Sequence, residues 1–162
     1  MLVSEAIRKV RDSINDTYDT GYKDSDIIGY INMGIKYLSG VLIARNEPIL
    51  VKEYDVSSSV AGNPVPHNFV RFAGGFPVMR KGQKFYVVNT MPLVTIKYFY
   101  MPDDVKQASD SMPFEDEEVY QMLVISLARI YALNQHEFNV SQDAEIHKSL
   151  EGVVNSALGV VE

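Results

Sequence analysis

Between residues 94 and 131 the hydrophobic period changes from two to three-and-four, and no other feature constrains the fold of this chain as much. Val94, Ile96, Tyr98 and Tyr100 alternate with Thr95 and Lys97, which predicts a strand with one apolar face. Pro102 ends it. After a polar loop, Pro113 occupies a position that a first helical turn tolerates. Glu115, Asp116, Glu117 and Glu118 then place negative charge at the positive end of a helix dipole. The helix predicted from Glu115 to about Phe138 is apolar on more than one face. Val119, Leu123, Ser126, Ile130 and Leu133 form its main stripe, widened by Met122, Ile125 and Leu127, which reads as a central helix.

The beginning of the chain is helical by the same test. Leu2, Val3, Ala6, Ile7, Val10 and Ile14 recur at three and four residues. The turn-forming run NDTYDTGYKDSD follows, with Gly21 read as the residue after a cap. Ser25 is read as the N-cap of a second helix whose apolar positions are Ile27, Ile28, Ile31, Ile35, Leu38 and Leu42. Gly29, Gly34 and Gly40 interrupt that helix, each at a cost of about 1 kcal/mol against Ala. They predict close approach of another helix, and Pro48 closes the segment. A last helix is predicted from Ser141 to about Leu158, on the stripe Ala144, Ile146, Leu150, Val153, Val154, Ala157 and Leu158.

Between these helices the signals are those of short strands and tight turns. ILVKEYDV alternates imperfectly, SSSVAGNPVP reads as a loop, and NFVRFAGG, FPVMRKG and KFYVV follow at hairpin spacing. Lys81, Gly82 and Gln83 are the expected turn of one hairpin. The resulting expectation is an α+β chain: a bundle of about four helices with a small antiparallel β insert between helices two and three. Residues 1–45 form a helix pair, 49–100 the insert and 113–158 the C-terminal helices, all within one domain spanning 1–162. Packing Ile31 and Ile35 against Leu123 and Ile130 would join helices two and three.

At 162 residues the chain is long enough to bury roughly two thirds of its unfolded surface. It has no cysteine, which excludes disulfides and thiolate metal sites. Charge interrupts the opening residues too often for a signal-peptide core, and no later segment is expected to reach the length that crosses a bilayer. The net charge of −6 is unevenly spread. Residues 1–48 sum to −1, residues 49–102 to +4 and residues 103–162 to −9. Faces of opposite sign suit a molecule that meets complementary neighbours.

No motif for catalysis or for a cofactor stands out. His67, His136 and His147 lack metal-ligand spacing, and His136 has no second His four residues on. Asp103 with Asp104 and the Glu115–Glu118 run match no calcium loop. There is no nucleophile elbow, no phosphate-binding loop and no dinucleotide fingerprint. Neither a catalytic residue, a metal nor a cofactor is therefore expected. One stretch keeps a second class open. Phe72, Phe76, Phe85 and Tyr86 interleave with Arg71, Arg80, Lys81 and Lys84, a composition that suits a small nucleic-acid-binding module. An enzyme with an unrecognised site is the third class.

The segments DSDIIGYINMGIKYLS, VPHNFVRF, RKGQKFYVV, VTIKYFYMP and MPFEDEEVYQMLVISLARIYA, in that order and spacing, resemble the head-to-tail adaptor proteins of tailed bacteriophages, also called head-completion or connector proteins. The resemblance spans most of the chain. It implies a structural virion protein that forms a dodecameric ring beneath the portal protein. Such a ring joins the DNA-filled head to a tail or stopper protein in the neck, after assembly in the host cytoplasm and without a membrane. Genomic DNA would pass through the channel without sequence recognition, and an acidic wall would repel its phosphates. Two interfaces are expected. Arg80, Lys81 and Lys84 form an exposed basic hairpin that touches a neighbouring subunit or ring, and the apolar end Leu158, Val160 and Val161 meets the portal.

Overall fold

Two asparagines in the left-handed conformation set where the first two helices stop. Asn15 and Asn46 both have φ of 60°, a conformation that Asn tolerates better than most residues. Helix α1 (Val3–Ser13) ends just before the first, and α2 (Asp24–Ala44) just before the second. At each end the following residue reaches back in the same pattern. Asp16 N–H donates to Arg11 O at 3.0 Å, and Glu47 N–H donates to Leu42 O at 2.9 Å. Gly21 and Pro48, the expected stops, lie beyond these ends. Gly21 instead donates its N–H to Asp16 Oδ1 at 2.9 Å. Ser25 is not the cap either: it lies inside the first turn of α2, where Asp26 Oδ2 accepts the N–H of Lys23.

The computed structural model describes residues 1–16, 21–115, 117–134 and 140–159. Across these, the elements run α1, α2, a 3-10 turn at Pro48–Leu50, six strands, then α3 (Glu118–Leu133) and α4 (Val140–Leu158). The strands are β1 (Val51–Ser57), β2 (Asn63–Pro64), β3 (Phe69–Phe72), β4 (Val78–Lys81), β5 (Lys84–Val87) and β6 (Leu93–Tyr100). The fold is α+β, with four helices and two small antiparallel sheets among the described residues. It divides into two compact units, residues 1–41 with 104–162, and residues 42–103.

Unit 1 is helical. α3 packs against α1 and α4, and the core is aliphatic: Val3, Ala6, Ile7 and Val10 of α1, Ile27, Ile31, Ile35 and Leu38 of α2, Val124, Leu127 and Ala128 of α3, and Leu150 and Val154 of α4. At 21 residues α2 is long and apolar enough to cross a membrane by length and composition, contrary to the expectation for this chain. Its Ile27, Ile31, Ile35 and Leu38 are buried in the protein. Gly34 is where α2 meets α3. A Cβ there would lie 2.9 Å from Val124 O and 3.3 Å from Leu127 Cβ. Gly29 and Gly40 have open space instead, so only one of the three glycines marks a close approach.

α3 differs from its predicted course at its start and over part of its face. Phe114 has φ of 64°, a strained value for an aromatic residue, and the helix cannot run through it. It begins at Glu118, five residues after Pro113. The buried residues are Gln121, Leu123, Val124, Ile125, Leu127, Ala128 and Ala132, so Leu123, Ile125 and Leu127 are buried as expected, while Val119, Met122 and Leu133 of the predicted set are exposed and Ile130 is half-buried. Gln121 is the polar member of the buried set. Its Nε2 donates to Phe114 O at 3.1 Å, so a polar side chain fills a core position and pins the strained turn. The predicted end at Phe138 lies outside the described residues.

Two side chains tie the rest of unit 1 together. Asn32 donates through Nδ2 to Val105 O and accepts the Val105 N–H at Oδ1, both at 2.9 Å, so one amide satisfies both backbone groups of the returning chain. Arg11 is buried. It donates to Asp16 Oδ2 and Asp24 Oδ1, each at 2.7 Å, and to Tyr22 O at 3.0 Å. The guanidinium fork thus holds three points of the segment between α1 and α2.

Unit 2 is the β portion. One sheet has the order β1-β6-β3 and the other β2-β5-β4, all antiparallel. Val94, Ile96 and Tyr98 of β6 are buried as the alternation predicts, and Tyr100 is half-buried. Val56, Val78, Phe85, Val94 and Ile96 form the core, with Phe69 and Phe72 packed on it. Ring centroids of Phe69 and Phe72 lie 5.2 and 5.3 Å from that of Phe85, a spacing that adds to plain burial. Asn63–Pro64, within the segment read as loop, is a two-residue strand. Asn63 fixes it by accepting the Ser57 N–H and donating to Ser57 O, and Pro64 sits at a sheet edge, where its missing donor costs little.

Candidate functional site

The basic hairpin is present, and its cations divide between two faces. Lys81 pairs directly with Lys84, leaving Gly82 and Gln83 as a two-residue turn. Gly82 has φ of +59°, the value that the first central position of a type II′ turn requires. Because side chains alternate, Val78, Arg80, Phe85 and Val87 share the inner face, and Met79, Lys81, Lys84 and Tyr86 the outer one. Arg80 bends back: its Nε donates to Gly82 O at 2.9 Å, and its guanidinium lies 5.5 Å from the Phe69 ring centroid. All three cations are exposed, Arg80 from the inner face and Lys81 and Lys84 on the outer face beside Met79, which is 40% exposed.

Arg71 is separate from this group. It donates to Ile43 O at 2.6 Å and to Asn46 Oδ1 at 2.8 Å, and stacks 4.3 Å from the Phe99 centroid. It is therefore a cap for the last turn of α2, in a position that favours a cation at the helix C-terminus. Three of the four aromatic residues of the same stretch are turned to the core: Phe85 is fully buried, and Phe72 and Phe76 pack on it, whereas Tyr86 is half-buried on the outer face of the hairpin.

At the predicted C-terminal site, Leu158 is the half-buried last residue of α4, followed by Gly159 at φ +78°. Val160 and Val161 lie outside the described residues. The sequence reading missed a neighbouring feature. Val119, Met122, Leu123 and Ser126 of α3 and Ala157 of α4 line an open groove of about 400 Å³ with Glu118 at its rim. Val119 is 58% exposed and Met122 39%. Glu115 and Glu117 are exposed at the same end of α3. Met122 and Ser126 also border a second, more polar groove with Lys9, Asp12, Ser13 and Arg129. The signal that could have found the first groove was the surplus of apolar residues on α3, more than one buried face can hold.

In unit 2 further apolar residues, Val60, Val88, Met91 and Leu93, are exposed on two loops and at the start of β6. The Ser58 N–H and hydroxyl both donate to Pro92 O, at 3.0 and 3.2 Å, which holds the two loops side by side.

His67 pairs with Asp103 at 2.8 Å in a largely exposed position, His147 is exposed, and His136 lies outside the described residues. Among the described residues no three His, Asp or Glu side chains are placed to share a metal ion. Asp110 holds its carboxyl below the usual range, because its Oδ2 accepts the backbone N–H groups of Lys106 and Gln107 at 2.7 and 3.1 Å. Those bonds close the loop on which α1 begins, where Asp110 O and Ala108 O accept the N–H groups of Val3 and Ser4. No protein-family model matches the sequence, and no curated protein matches it either.

Proposed function

We propose that this chain is a non-enzymatic structural protein of a tailed bacteriophage, a ring-forming adaptor. It docks beneath the portal, joins the DNA-filled head to the tail, and lines part of the DNA channel. In this reading the four helices act as a bundle and the β portion between α2 and α3 is an insert that projects contacts. One observation carries it: the segregation of charge between the two units. Unit 1 holds 8 Lys/Arg against 17 Asp/Glu, whereas unit 2 holds 7 against 4. A closed ring needs two different faces on each subunit, and a chain with one strongly acidic unit and one basic unit has them. The order of sequence segments that resemble adaptor proteins supports the same reading.

The experiment is attachment to portal-bearing, DNA-filled heads. Deleting residues 158–162 is expected to leave the helical signal and thermal midpoint of the free protein unchanged and to abolish co-sedimentation with heads. A truncated chain that still co-sediments removes the C-terminal end from the portal contact. A full-length chain that never does so sinks the adaptor reading itself.

A further inference from the structure

We infer that the groove between α3 and α4 receives the outer face of the β4–β5 hairpin from a second copy of the chain, an assignment that rests on the adaptor reading above. Two observations point to it independently. The groove presents apolar walls, Val119, Met122, Leu123 and Ala157, with Glu118 at the rim and Glu115 and Glu117 at the same helix end. Such a surface suits an occupant that is apolar where it enters and cationic where it meets the rim.

The hairpin has that arrangement. Met79 lies opposite Tyr86 on its outer face, and Lys81 lies opposite Lys84 one step nearer the turn. Like charges directly opposite each other across two strands are destabilising. Among the described residues no carboxylate pairs with either ammonium group, and a carboxylate set between the two relieves the repulsion. Arg80 takes no part, because it is turned to the inner face onto Phe69 and Gly82 O.

A second copy is the occupant because the chain carries both halves of the match. An apolar pair beside two cations sits on one unit, and an apolar wall beside acidic residues on the other. Contact between unlike surfaces of identical chains is heterologous, and it propagates from copy to copy until it closes or forms a filament. The hairpin charges act mainly on encounter and register, while Met79 and Tyr86 against Val119 and Met122 supply the apolar contact.

Because the natural chain has no cysteine, single cysteines report the contact cleanly. Lys84→Cys is placed in one preparation and Val119→Cys in a second one of different tag length, and the two are mixed under mild oxidation. The mixed disulfide dimer is expected to exceed both homodimers, and to exceed the product of Lys84→Cys with a Ser4→Cys control. Adding Lys81→Glu to the first chain is expected to lower the yield about tenfold, and Glu118→Lys in the second to restore it. A mixed dimer no more abundant than the control, a dominant Lys84→Cys homodimer, or a yield indifferent to charge reversal overturns the assignment. So does a cross-link that forms only once residues 160–162 are deleted, since the chain's own end then fills the groove. Attachment to heads without the cross-link sinks this contact and leaves the adaptor reading standing. The cross-link without attachment does the reverse.

Discussion

The two units use the same device to stop a helix and then spend their arginines differently. In unit 1, α1 ends on Asn15 and Arg11 is buried between Asp16 and Asp24. In unit 2, the last turn of α2 ends on Asn46, and Arg71 reaches the carbonyl of Ile43 and the side chain of Asn46 from a strand, over the Phe99 ring. The first cation is neutralised within a helical, aliphatic unit. The second remains exposed on an aromatic-cored sheet, where it satisfies a helix end and needs no carboxylate. A buried ion pair resists the loss of one partner far more than a half-solvated helix cap does.

Replacing these two arginines sharpens the contrast and carries the largest expected effect. Arg11→Met leaves Asp16 buried without its guanidinium and is expected to cost about 3 to 5 kcal/mol by denaturant midpoint. Arg71→Met removes the bonds to Ile43 O and Asn46 Oδ1 and a ring contact at an exposed site, with an expected loss of about 1 to 2 kcal/mol. Equal losses at the two positions would break the comparison.

A smaller contrast lies within α2. Gly34→Ala drives a methyl group against Val124 O, which is backbone and cannot turn aside. A loss of about 1 to 3 kcal/mol is expected, as for other overpacked cores. Gly29→Ala and Gly40→Ala meet no atom within 4 Å and are expected to raise stability by about 0.5 to 1 kcal/mol each. Thermal melts of the three variants check the order, and a stabilised Gly34→Ala would show that α2 and α3 are not in close contact.

The smallest effect is acid-dependent. Asp110 has its pKa lowered by two backbone N–H groups, so its contribution is present above the ordinary carboxylate pKa and lost as pH falls through the lowered value. Asp110→Asn should therefore be less stable than the natural chain at neutral pH, with the gap closing below about pH 4. A gap that widens in acid would contradict the assignment of those bonds.

How much of this was legible in the sequence depended on whether one residue type decides a feature alone. The buried face of β6 follows from Val94, Ile96 and Tyr98, because strand alternation has a period of two and no alternative register keeps them together. The stops at Asn15 and Asn46 were hidden by Gly21 and Pro48, which are stronger local signals but came too late in the chain. The face of α3 was legible in Leu123, Ile125 and Leu127, which are buried, and missed where Gln121 is polar yet buried by hydrogen bonds to a strained turn and Val119 and Met122 are apolar yet exposed. Helical periodicity reports which residues avoid water on average. It does not report a polar side chain whose partners lie seven residues back. In the hairpin the charge was legible, while its division into an inward Arg80 and outward Lys81 and Lys84 required the register.

Electron microscopy of portal-bearing, DNA-filled heads incubated with the purified chain tests the central claim most directly. The adaptor account predicts a closed ring of added density at the portal vertex, its copies joined through unlike surfaces with the basic hairpin of each toward its neighbour. Heads left bare at the portal vertex, or single copies scattered over the head surface, would contradict it.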